Sequence, residues 1–148
     1  MSKPSIRSII VFAICLAVAI QFVPIRRDNP PVTDDVTAPA AVVSILQRSC
    51  FDCHSYDTRW PWYSHVAPVS WLVARDVHEG RRHLNLSAWS DYPPDIRQQK
   101  LLDIVNELQE GDMPPWYYTP LHPAARLSPD EVNAVVGWAK SPGAQLER

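Results

Sequence analysis

Cys50-Phe51-Asp52-Cys53-His54 is the stretch on which the reading of this chain turns. Two thiols stand three positions apart and an imidazole follows the second, the C-x-x-C-H spacing of a c-type haem attachment site. Thiols one helical turn apart reach the two vinyl groups on one edge of a porphyrin and can close two thioethers. The histidine after the second thiol then lies beneath the iron as an axial ligand. From the chain's own three cysteines and five histidines the chance expectation for this match is roughly two in a thousand. A redox-active C-x-x-C calls for a thioredoxin-like βαβ context. A zinc site calls for further thiolates or imidazoles at matching spacing. A disulfide across two residues is strained. The third cysteine, Cys15, sits alone in an apolar run, so no second pair supports these rivals.

An electron-carrying haem also needs a ligand on the opposite face. The candidates are Met113, Met1, His65, His78, His83 and His122. Met113 lies in Gly111-Asp112-Met113-Pro114-Pro115, just past an expected helix end, where two prolines stiffen the backbone and remove donors. The other reading of such a methionine is core filler. Trp60-Pro61-Trp62-Tyr63 follows the attachment motif and Trp116-Tyr117-Tyr118 follows Met113. The aromatics beside both expected ligands, Trp60, Trp62 and Tyr63 among them, are therefore expected to wall the porphyrin, or to pack as ordinary core. Arg81 and Arg82, at a helix end, can pair with haem propionates or stay solvated. A carbonyl near Pro61 or Pro68 is expected to orient the His54 ring through its Nδ1–H.

Around the motif the apolar pattern is helical throughout, with no alternating strand pattern. Val42, Ile45, Leu46 and Cys50 share one face of a helix from near Ala38, with Thr37 as a possible cap. Pro68 opens a second helix with Val69, Leu72, Val73 and Val77 as its stripe and Gly80 as its stop. Pro93 opens a third, striped by Leu101, Ile104, Val105 and Leu108 and closed by Gly111. Ser128-Pro129-Asp130-Glu131 is a capping box before Val132, Val135, Val136 and Ala139. Apolar residues are 46% of the 148, enough for a folded core, and fifteen prolines against four glycines imply stiff connections.

Residues 1–27 carry four bases and no acid; the remainder carries ten bases against sixteen acids, a net of −6. That balance excludes a nucleic-acid partner, which needs a basic face. Lys3 and Arg7 precede an apolar run from Ile9 to Val23, followed by Arg26 and Arg27. This reads as an uncleaved transmembrane helix, short against about 30 Å of hydrocarbon but workable with snorkelling arginines. A signal peptide cut after Ala17-Val18-Ala19 and a buried core helix are the alternatives. The expected organisation is a membrane anchor or signal in 1–27, an extended tether in 28–37 and a haem-binding domain in 38–148.

The stretch from Cys50 to Trp138 resembles the haem-binding domain family of small exported bacterial proteins, relatives of class I cytochromes c. Besides the attachment motif, the likeness rests on Trp60-Pro61-Trp62-Tyr63-Ser64, Ala67-Pro68-Val69-Ser70-Trp71, Gly80-Arg81, Gly111-Asp112-Met113-Pro114-Pro115 and His122-Pro123-Ala124. It implies an all-α, cytochrome c-like domain of about four short helices around one covalent haem c. It also implies His54 as proximal ligand and Met113 as distal one. The usual small-residue contact between first and last helices is missing from the first helix here. The expected function is that of a membrane-tethered monohaem cytochrome. It would exchange electrons with redox partner proteins, its haem domain on the periplasmic side of the inner membrane. A haem enzyme or sensor with a displaceable distal ligand, peroxidase-like or gas-binding, is the alternative.

Overall fold

Prolines and one capping box punctuate the chain into helices. The computed structural model describes residues 5–32 and 34–146. In chain order the helices are α1 (Ile6–Ala19), α2 (Ala40–Ser49), α3 (Phe51–His54), α4 (Val69–His83), α5 (Pro94–Glu110), α6 (Pro129–Ala139) and α7 (Pro142–Leu146), joined by loops and 3₁₀ turns. Among the described residues there is no strand, and the fold is all-α as expected. The capping box forms: Glu131 N–H donates to Ser128 Oγ at 3.3 Å and Ser128 N–H donates to the Glu131 carboxylate at 2.8 Å. At the end of α5, Gly111 takes φ 79°, a left-handed conformation that suits glycine and stops the helix.

The core lies between α2, α5 and α6. Val42, Ile45 and Leu46 of α2 meet Leu101, Ile104 and Val105 of α5, with Val135 and Trp138 of α6 closing the cluster. An ion pair between Arg48 and Glu131 at 2.7 Å joins α2 to α6 at its edge. Three local expectations change. Helix α2 starts at Ala40 after Pro39, and no side chain caps it, so Thr37 is not the cap. Helix α4 buries Ser70, Ala74 and Val77 while Val69 and Leu72 stay exposed, because its small residues form the face of close approach. Gly80 does not end α4, which continues to His83. It is small for another reason: a Cβ there would stand 2.6 Å from the Cys53 carbonyl oxygen.

The described residues of 28–37 form no helix, and they are fastened to the domain. Val36 is buried in the core and its N–H donates to Leu86 O at 2.8 Å. Asp34 forms an isolated parallel bridge with Ala88. Arg81 donates to Asp28 O at 2.8 Å and to Asn29 Oδ1 at 3.0 Å.

Helix α1 is apolar on every side and has no buried residue. Its 14 residues extend about 21 Å, and a 3₁₀ turn over Ile20–Phe22 ends it. Pro24 cannot continue the helix. Gln21 folds back onto the domain, accepting from Ala67 N–H at 2.9 Å and donating to Ala67 O at 3.2 Å. Among the described residues no helix is long and apolar enough to cross a membrane, which departs from the expected spanning segment. Met1 and Lys3 lie outside the described residues.

Candidate functional site

Cys50 breaks the chain between α2 and α3 at φ −121°, ψ −37°. The N–H groups of Cys53 and His54 both donate to its carbonyl, at 3.1 and 2.9 Å, winding the motif into a single turn. That turn places Cys50, Cys53 and His54 on the wall of one cavity. Both thiols are free. Burial pushes each up to about 12, so both are held protonated.

The orientation of His54 is over-determined. Its Nδ1 lies 2.9 Å from Gly80 O and 3.1 Å from Leu84 O. Both partners are acceptors, so Nδ1 carries the proton and Nε2 keeps its lone pair for a metal. Burial lowers the imidazole pKa, against the two carbonyl bonds that raise it, which keeps the ring neutral as a ligand must be. The orienting carbonyls thus belong to the end of α4, where the chain passes beneath the ring, and not to Pro61 or Pro68.

The cavity, about 590 Å³, is enclosed by α2, the attachment turn, the end of α4, α5 and the loop after α5. That size is within the range of cofactor sites. Met113 lines it, as do Pro114, Tyr117 and Tyr118. The Met113 loop is pinned at its start, where the N–H groups of Gly111, Asp112 and Met113 converge on Glu107 O at 3.1, 3.1 and 3.4 Å. Of the histidine candidates, His83 also lines the cavity, but on α4 beside the carbonyls that orient His54. His65 and His78 are exposed on other surfaces, and His122 stacks on Tyr118 outside the lining.

Several expected haem contacts lie elsewhere. Trp62 is 79% exposed. Trp60 donates through Nε1 to Asn29 Oδ1 at 3.2 Å, and Tyr63 shares a 2.5 Å hydrogen bond with His122 Nε2. None of the three lines the cavity. Arg81 spends its donors on Ser55 O, Asp28 O, Asn29 Oδ1 and Thr58 Oγ1, so it braces protein segments and is not turned to a propionate. For Trp60 and Arg81 the reason is shared: Asn29 and its neighbours come back beside the attachment loop, a proximity that sequence spacing does not show.

Among the lining residues that the sequence did not single out is Ser49, whose buried hydroxyl has no hydrogen-bond partner among the described residues. Lys100 also lines the cavity, with its ammonium 5.9 Å over the Tyr92 ring. A free hydroxyl donor suits a carboxylate group of a porphyrin. Two thiols, a neutral imidazole with a free Nε2, a thioether and this hydroxyl form a donor set that fits haem.

The fold and this cavity define a small all-helical haem-binding protein. The chain belongs to the haem-binding domain family, whose model matches residues 15–141. It is also similar to the cytochrome c peroxidase Ccp of Escherichia coli (strain K12), at 28% identity over 99 residues, 64% of this chain. The chain spans about a fifth of that relative's length. No solved structure matches.

Proposed function

We propose that this protein is a membrane-held, monohaem c-type cytochrome that carries electrons on the exported side of the inner membrane for redox partner proteins. One observation carries the reading: the Cys50, Cys53 and His54 motif and the sequence-distant Met113, chemically suited to one covalent haem, line the same cavity. Bound there, the haem supplies an iron that cycles between ferric and ferrous states. Cys50 and Cys53 would hold the porphyrin through thioethers, each S–H adding across one vinyl group. His54, aimed by Gly80 and Leu84, would ligate through Nε2, and Met113 would offer a soft thioether that favours ferrous iron. Apolar walls from Leu46, Ile104 and Val135 keep water from the centre. The membrane attachment is supported by α1, apolar on all sides and exposed along its whole length, with Arg7 in its first turn.

A peroxidase-like or gas-binding role is the second reading. Met113 is 38% exposed on a loop, and the similar bacterial protein is named a peroxidase. Optical and spin-state spectra separate the two. The carrier reading expects a low-spin ferric protein with a sulfur-to-iron charge-transfer band. Met113→Ala should keep haem, lose the band, turn high-spin and lower the reduction potential. A wild type that is already high-spin and turns over peroxide supports the enzyme instead.

A further inference from the structure

We propose that the consecutive tyrosines Tyr117 and Tyr118 latch the Met113 loop over the haem cavity and so govern how readily outside ligands reach the iron. This rests on Met113 as the sixth ligand. Among the described residues the loop's backbone is bonded to a helix at one end, at the Glu107 carbonyl. Past Met113 come two prolines and a turn closed by Tyr118 N–H on Pro115 O at 3.0 Å, so the segment is internally stiff and moves as a unit. Among the described residues it is also tied to the helices by two side-chain bonds. Tyr118 Oη donates to Asp52 Oδ2 at 2.8 Å, and Tyr117 Oη donates to Asp76 Oδ2 at 3.3 Å. Asp52 lies inside the attachment motif on α3, and Asp76 lies on α4. The distal loop is thereby tied to the two helices that hold the proximal side.

The Tyr118 arm is the stronger. Asp52 is itself clamped by Arg59, whose N–H and Nε donate to Oδ1 at 3.1 and 3.2 Å. The Tyr118 ring stacks on His122 at 4.0 Å and 8°, and His122 is held by Tyr63. Tyr117 is 46% exposed and its bond is longer. Asp52 and Tyr118 also line a second hollow, an open groove of about 520 Å³ with Arg48 and His122 on its walls. The pair is therefore the wall shared by groove and haem cavity. Breaking it frees the loop and opens a side entrance for small polar ligands at once. Tyr118 is thus a positioning residue, acting on the iron through Met113.

The test measures cyanide association with the full-length ferric holoprotein by stopped flow, alongside amide exchange across residues 112–119. Tyr118→Phe keeps the ring and its stacking but removes the hydroxyl. It should raise the cyanide association rate about tenfold, the equivalent of one hydrogen bond, and speed exchange of the loop amides. Tyr117→Phe should raise the rate less. Asp52→Ala removes the same bond together with those from Arg59, so it should raise the rate at least as much, and adding Tyr118→Phe to it should raise it no further. Wild-type cyanide rates in Tyr118→Phe, or additive effects in the double variant, overturn the latch. A wild type without the sulfur-to-iron band defeats Met113 ligation instead, and the Tyr118→Phe rate ratio still decides the latch.

Discussion

The two sides of the haem cavity are held by different means. On the attachment side the fastenings are backbone: the motif turn closes on the Cys50 carbonyl, His54 is aimed by two α4 carbonyls, and Leu86 N–H donates to His54 O at 2.7 Å. On the far side Met113 is 38% exposed and Trp116 83%, and beyond Glu107 the loop is fastened by tyrosine hydroxyls. Backbone bonds inside packed helices open with the whole domain, whereas side-chain bonds at a surface loop open locally. One side is built to be permanent and the other to be adjustable.

The comparison breaks outright if the permanent side holds nothing covalent. Replacing both Cys50 and Cys53 by Ala should abolish haem on a denaturing gel, and each single replacement should weaken the link. Haem that leaves the wild type intact into acidified solvent would show that the attachment side is merely a pocket.

A smaller effect sharpens the comparison. Gly80→Ala puts a methyl 2.6 Å from the Cys53 carbonyl, a backbone atom that cannot step aside. The expected cost is about 1–3 kcal/mol in urea unfolding, with lower haem loading. Gly137→Ala, in α6 with nothing within 4 Å of the added carbon, should leave the midpoint unchanged or raised. Equal losses in the two variants would mean that α4 does not press on the motif as described.

The smallest effect lies away from both sides. The Glu131 carboxyl is held at about 2 by the Ser128 backbone N–H and then by Arg48, below its ordinary 4.5. A depressed carboxyl contributes stability that is complete above about pH 4.5 and lost as pH falls towards 2. Glu131→Gln should therefore flatten the fall in melting temperature across that window while leaving haem attached. An unchanged acid profile would show that the Ser128 cap and the Arg48 pair together are not stabilising.

The same divide describes what could be read from the residues alone. Cys50, Cys53 and His54 are legible because their chemistry is set by spacing within five residues. Gly111 and the Ser128 box are legible because caps are local. Arg81, Gly80 and Trp60 were assigned other roles, since their partners Asp28, Cys53 and Asn29 arrive from 27 or more positions away. The α4 stripe misled for a related reason: periodicity marks an apolar face, but small Ser70 and Ala74 marked the face of contact. Tyr117 and Tyr118 looked like aromatic wall, and nothing in their sequence neighbourhood showed Asp52 and Asp76 waiting for the hydroxyls.

The fastening of residues 28–37 has a consequence for encounter. A slack ten-residue chain would let its cargo roam about 17 Å. Here Gln21, Arg81 and Val36 take up that slack, so the domain moves with the end of α1. In the membrane-held reading the haem then rides at a fixed height above the lipid and cannot reach outward like a lure on a line. In that reading an encounter with a partner held in the same bilayer would be a two-dimensional search.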